Sequence, residues 1–166
     1  MDKIEPRVNA VFDCMVFLQA IASSNGPASE CLDFVRNDMI GLFSSEEILD
    51  EVKNVLTRPK FRKQYKSLTE EMVSEFLAEI EDLAFVFVNP SDYFKLPRDP
   101  KDEKYINLAV EMDAHYLVSR DRDLLDLMTD QSENAIEFRW RFRRLKIVDP
   151  AEFLRIVREM EVAPVP

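Results

Sequence analysis

Apolar residues fall in short blocks separated by polar stretches of helical length. Val8-Asn9-Ala10-Val11-Phe12 reads as a buried strand stopped by Asp13, and an apolar segment from Cys14 to Ala22 follows. The turn Ser23-Ser24-Asn25-Gly26-Pro27 leads into a helical stretch from Ala28 to Asn37, then the short run Ile40-Gly41-Leu42-Phe43. Ser44-Ser45-Glu46-Glu47 has the form of a capping box, Ser44 answered by Glu47. It opens a helix with Ile48, Val52 and Val55 on one face, ending before Pro59. Thr69 opens another, with Met72, Phe76, Leu77, Ile80 and Leu83 at helical spacing, of which Met72, Phe76 and Leu77 are assigned to the core. Ala84 to Val88 is a strand, and Asp99-Pro100 starts a helix reaching about Asp113. Tyr116 to Ser119 and Lys146 to Val148 are further strands, with a short helix from Asp123 to Met128 between them. Asp149-Pro150 caps a last helix to about Met160.

Strands alternating with helices predict an α/β fold, with a central parallel sheet of about four to five strands between two helical layers. Without repeats or linkers, residues 1–160 read as one domain and 161–166 as a flexible tail. In open sheets of this kind ligands sit beyond the carboxyl ends of the strands. The residues that follow the strands are therefore the candidates for chemistry.

Composition narrows that chemistry. Two Gly exclude a dinucleotide-binding or P-loop glycine pattern, and one His with two Cys leaves no zinc site of usual spacing and no disulfide framework. No apolar run is long enough to span a membrane, Met1 to Pro6 does not read as a signal peptide, and a cytoplasmic location is expected. The formal charge of -10 repels nucleic acid as a whole, so any such ligand needs local basic patches or a bound metal.

Asp13 follows the first strand and Asp121 the fourth, Glu51 lies one turn beyond Glu47, and Asp102 and Glu103 share the first turn of the Asp99-Pro100 helix. Each reads alone as a cap or a solvated acid. Crowded together at neighbouring strand ends they would repel, and an unpaired desolvated carboxylate costs several kcal/mol. A hard cation with oxygen ligands, Mg²⁺ or Mn²⁺, is one remedy.

Four stretches carry a family resemblance. They are Val11-Phe12-Asp13-Cys14-Met15-Val16-Phe17; Ser44 to Phe61, with Glu51 and Leu56-Thr57-Arg58-Pro59-Lys60-Phe61; Arg98-Asp99-Pro100-Lys101-Asp102-Glu103-Lys104-Tyr105-Ile106; and Tyr116 to Leu125. In this order they resemble the PIN-domain family, specifically the PIN-family toxins of prokaryotic toxin–antitoxin pairs. The resemblance implies a three-layer PIN-like fold and a Mg²⁺- or Mn²⁺-dependent endoribonuclease. Its catalytic acids would be Asp13, Glu51, Glu103 and Asp121, with Asp13, Glu103, Asp121 and Asp123 as metal ligands. Helix geometry alone does not separate Glu103 from Asp102; the resemblance favours Glu103 and leaves Asp102, like Ser119, as a supporting or capping group. It further implies RNA as substrate and an antitoxin protein as partner, and admits a homodimer. Cys14-Met15 stands where the family has Thr-Asn, and the third acid is Glu rather than the commoner Asp.

Arg120, Arg122, Arg139, Arg141, Arg143 and Arg144 are candidate substrate contacts, the last four interleaved with Phe138, Trp140 and Phe142. The commoner arrangement is that such rings face the core while the Arg side chains are solvated. Arg58 to Lys66 is a second basic run, read as a solvated face or an antitoxin contact, and Cys14 as a small buried hydrophobe. A reading of another class is a PIN-like module with weakened catalysis that binds nucleic acid or protein. An aspartyl phosphotransferase using Asp13 would need an Asp where Met15 stands.

Overall fold

In the computed structural model, which describes residues 8–162, each predicted strand forms: β1 (Val8–Phe12), β2 (Ile40–Ser45), β3 (Phe85–Phe87), β4 (Tyr116–Val118) and β5 (Lys146–Val148). They make one parallel sheet in the order β3-β2-β1-β4-β5. The helices are α1 (Cys14–Ala22), α2 (Pro27–Arg36), α3 (Glu46–Leu56), α4 (Pro59–Gln64), α5 (Glu70–Leu83), α6 (Glu103–Glu111), α7 (Arg122–Leu125), α8 (Glu133–Arg141) and α9 (Pro150–Val162).

Parallel strands need crossover connections, which are right-handed. The chain moves from β1 through β2 to β3 and then returns past β1 to β4 and β5, so helices cover both faces of the sheet. Aromatic contacts mark the two layers. Phe12 of β1 meets Phe17 of α1 and Phe153 of α9 at ring-centroid distances of 5.9 and 6.0 Å. On the other side Phe138 of α8 meets Phe94 at 5.4 Å. The reversal between β1 and β4 is the topological switch point, where a crevice opens beyond the strand ends.

Several expectations change. The cap of α3 is Ser45, whose Oγ accepts from Ile48 N at 3.2 Å; Ser44 is still in β2, and its buried Oγ has no partner. Strand pleating points the Ser44 side chain into the layer and leaves Ser45 free to turn the chain. Ser45→Ala is therefore expected to cost about 1 kcal/mol in urea denaturation, while Ser44→Ala is neutral or stabilising. In α5 the buried positions are Val73 and Ile80, while Met72 is 46% exposed and Phe76 and Leu77 are half-buried. The Asp99-Pro100 helix begins as a 3₁₀ turn, Pro100–Asp102, before α6. Helices α4 and α8 are not predicted by the pattern. The apolar stripe of α8 is narrow, with Ala135 and Phe138 buried and Phe142 beyond its end half-buried, and Ser132 caps it. Helix α9 extends two residues into the expected tail; residues 163–166, like the amino-terminal segment before Val8, lie outside the described residues.

Candidate active site

Pairing of β1 with β4 sets Phe12 opposite Val118, so Asp13 and Ser119 leave the sheet side by side. Asp13 N continues the ladder to Val118 O at 3.1 Å, and Ser119 N bonds Val148 O at 2.9 Å. Asp13 is 3% exposed. Its Oδ1 caps α1 by accepting from Val16 N at 3.0 Å, and its Oδ2 accepts from the Ser119 hydroxyl. The cap reading of Asp13 is thus correct and incomplete, because a cap does not require burial. Burial pushes its carboxyl up to about 6 against the lowering effect of these two bonds, and the charges of Asp121 and Glu51 push the same way.

Ser119 also accepts from Asp121 N at 3.0 Å, which links the first acid to the fourth. Asp121 caps α7 through Asp123 N at 2.8 Å. Asp102 occupies the cap position of α6, yet its side chain makes no capping bond. Its Oδ2 is buried without a partner. Burial, followed by the Asp121 carboxylate, raises the Asp102 carboxyl to about 8, with Asp99 and Asp13 adding to the repulsion. Two adjacent carboxylates offer acceptors only, so they must share a proton or a cation.

Glu103 takes a different position. Its Oε1 accepts from Leu96 N at 3.2 Å and its Oε2 lies 3.7 Å from Lys95 Nζ, so it anchors the loop before α6. Among the described residues it is Asp102 whose carboxylate faces Asp121 and feels the charge of Asp13, the reverse of the ranking implied by the resemblance. The third acidic position falls at a 3₁₀-to-α junction, where side-chain directions shift by more than helix periodicity predicts. Glu51, on α3, faces the same cleft, held by the Tyr105 hydroxyl at 3.0 Å and by Lys104 Nζ.

Asp123 does not stand beside Asp13. Its Oδ1 is 2.9 Å from Arg98, and a carboxylate oxygen of each of Asp99, Asp121 and Asp123 falls within a mutual 4.8 Å. Asp99 was legible only as a cap, which it also is, accepting from Lys101 N at 3.1 Å. Asp121 therefore belongs both to a buried group with Asp13 and Asp102 and to a more open one with Asp99 and Asp123. Asp13, Asp99, Asp102 and Asp121 line one cleft of about 760 Å³ with Glu51 and Glu103, and Asp123 is not part of its lining.

The interleaved arginines are elsewhere. Arg139 donates to Leu127 O at 2.7 Å and Asp130 O at 2.8 Å, Arg141 donates to Tyr93 O at 2.8 Å, and Arg144 pairs with Asp113 at 3.2 Å. Arg143 stacks on Trp140, which is 70% exposed, at 4.4 Å. Only Phe138 of that segment is buried, so the aromatics neither all face the core nor line the cleft. Arg120 and Arg122 are exposed near Asp121, but the basic residues lining the cleft are Arg58, Lys101 and Lys104. Cys14 is buried with its thiol pushed up to about 12, by burial first and then by Glu51 and Asp13. His115, bonded to Asn9 near the start of β1, is at the opposite end of the strands and cannot serve as its base.

Comparison with known proteins decides the family: a PIN-domain profile matches residues 9–123. The chain belongs to the PIN-domain family. The matched span contains Asp13, Glu51, Asp102, Glu103, Asp121 and Asp123. An uncharacterized protein of Methanocaldococcus jannaschii, MJ1680, is 30% identical over 155 residues, covering 93% of this chain and 95% of its own. The crystal structure of PAE2754 from Pyrobaculum aerophilum shares the fold, with a TM-score of 0.52 at 15% identity over 92% of this chain and 90% of that one. As a PIN domain the chain is a nuclease-type module carrying a cluster of acids at its strand ends. None of its helices among the described residues is long and apolar enough to cross a membrane.

Proposed function

We propose that this PIN domain is a divalent-metal-dependent endoribonuclease, the toxin of a cytoplasmic toxin–antitoxin pair, with RNA as substrate and a protein antitoxin as partner. The observation that carries the reading is the unpartnered, buried Oδ2 of Asp102 facing Asp121 beside the buried Asp13. Such a group is unfavourable in a protein with no ligand there and favourable around a hard cation. An all-oxygen donor set suits Mg²⁺ or Mn²⁺.

Asp13, Asp102 and Asp121 would hold the ion, and Asp99 and Asp123 would complete the open side of Asp121. Bound there, the ion supplies Lewis acidity and a more acidic water for attack on phosphorus. The chain supplies the orientation. Ser119 fixes Asp13 and the backbone of Asp121 through one hydroxyl, and Val16 N fixes the second Asp13 oxygen. Arg58 and Lys101 at the rim meet the phosphates of a strand that the overall charge would otherwise repel. RNA cleavage by the purified protein in Mg²⁺, in Mn²⁺ and in EDTA tests the reading. Activity that persists in EDTA, or fails with every RNA in both metals, sinks it.

A second reading, a PIN module with weakened catalysis, draws on the cleft wall. Met15 is 50% exposed and lines the cleft with Leu18, so an apolar side chain stands where the family has an amide. At that exposure an introduced Asn meets solvent and incurs no burial penalty. Cys14→Thr with Met15→Asn is expected to raise Mn²⁺ affinity and cleavage by about tenfold, the scale on which groups supporting metal ligands act. A variant that gains affinity over an inactive parent without cleaving RNA favours the binding module.

A further inference from the structure

Tyr105 is among the largest fully buried side chains, yet its hydroxyl reaches the cleft. It accepts from Cys14 N at 3.1 Å and donates to Glu51 Oε1 at 3.0 Å. Cys14 N belongs to the first turn of α1, where backbone donors lack partners within the helix. One phenol therefore joins the turn after β1, the middle of α3 and the first turn of α6. Lys104, its neighbour on α6, holds the other Glu51 oxygen and donates to Lys101 O at 2.7 Å.

A second observation points to the same place. Cys14 and Glu51 line the same cleft, one on each side of the Tyr105 hydroxyl. A hydroxyl at position 14, as in the Thr of the resembling segment, would meet the same carboxylate. The sulfur is a weak donor, and the strong donor to Glu51 from this side is the phenol of α6.

We propose that Tyr105 is a positioning residue of the site, its hydroxyl fixing Glu51 and the Asp13–Cys14 turn in place of the hydroxyl that Cys14 lacks. The inference rests on the proposed metal site and is independent of RNA as the substrate. Removing the hydroxyl leaves the ring in its packing, frees Glu51 on one side and strands a backbone donor next to Asp13.

The test compares Tyr105→Phe, Tyr105→Phe with Cys14→Thr, and Tyr105→Phe with Cys14→Val, by Mn²⁺ titration calorimetry and by melting in EDTA. Tyr105→Phe is expected to weaken Mn²⁺ binding by about tenfold. The Thr variant should recover most of that loss, and the Val variant, of the same shape without a hydroxyl, should recover none. A folded Tyr105→Phe with unchanged Mn²⁺ affinity overturns the proposal, as does equal recovery by Thr and Val. Should Tyr105→Phe not fold alone, the two double variants decide it: recovery of folding and affinity with Thr only supports it, and equal behaviour overturns it. A wild type that binds Mn²⁺ and cleaves no RNA sinks the nuclease reading, leaving this inference to be judged on affinity alone.

Discussion

Asp102→Asn and Asp121→Asn are each expected to lower RNA cleavage by about a hundredfold or more, and Glu103→Gln by less than about tenfold. Asp121 is common to the two acidic groups, and Asp102 contributes the one buried carboxylate oxygen without a hydrogen-bond partner among the described residues. Either substitution removes an anionic oxygen while keeping the shape of the side chain. Glu103 acts on the backbone of Leu96 instead, and Gln retains an oxygen to accept that bond. Its loss should appear as a modest change in stability of the loop before α6. Initial rates at saturating RNA and Mn²⁺, with melting temperatures for each variant, separate the two effects. If Glu103→Gln proves the most damaging, the assignment implied by the resemblance is restored.

In metal-free buffer, Asp13→Asn is expected to stabilise the protein at pH 8 and to change little near pH 4. The folded-state carboxyls of Asp13 and Asp102 are raised to about 6 and about 8 from an ordinary 3.8. Between pH 4 and 8 the folded chain therefore holds protons that the unfolded chain releases. Stability falls as pH rises through that window, because it rises with pH only where the unfolded state binds more protons. For Asp13, almost wholly buried, the shift corresponds to about 3 kcal/mol at pH 8. Asn keeps the cap on Val16 N but obliges Ser119 to redirect its hydroxyl, which leaves a gain of about 2 kcal/mol. That is about 4–8 °C in melting temperature for a domain of this size. Millimolar Mn²⁺ should raise the wild-type melting temperature at pH 8 and raise that of Asp13→Asn less, since a ligand bound only by the folded state stabilises by mass action. A variant equally destabilised at both pH values, with an undiminished Mn²⁺ shift, would reduce Asp13 to a cap.

Local pattern was sufficient for the sheet. Each strand is an apolar run bounded by turn or cap residues, and alternation with helices leaves little choice but parallel pairing. Asp13, directly after β1, and Asp121, shortly beyond β4, were legible for the same reason, because residues that follow a strand lie at its carboxyl end. The cap of α3 was misplaced by one residue, since Ser44 and Ser45 carry the same chemistry, both pair with β3, and only the start of the helix at Glu46 decides which hydroxyl reaches Ile48 N. The stripe of α8 was too narrow to register among the arginines in and after it; tertiary contacts tie Arg139 and Arg141 to carbonyls and Arg144 to an acid, away from the cleft.

What the sequence by itself determined is the sheet and the placing of Asp13 and Asp121 beyond its strand ends, both consequences of short-range periodicity. Which acid faces which was decided by the tertiary structure. Asp102 and Glu103 are neighbours in one turn, and their division of labour depends on the fold of the loop that brings Leu96 back to Glu103 and on Asp121 arriving from beyond β4. The place of Tyr105 is of the same kind, since its partners Cys14 and Glu51 lie 91 and 54 residues away. Hydrophobic spacing assigns a side chain to a face; the polar atom at its tip finds a partner only when separate elements pack together.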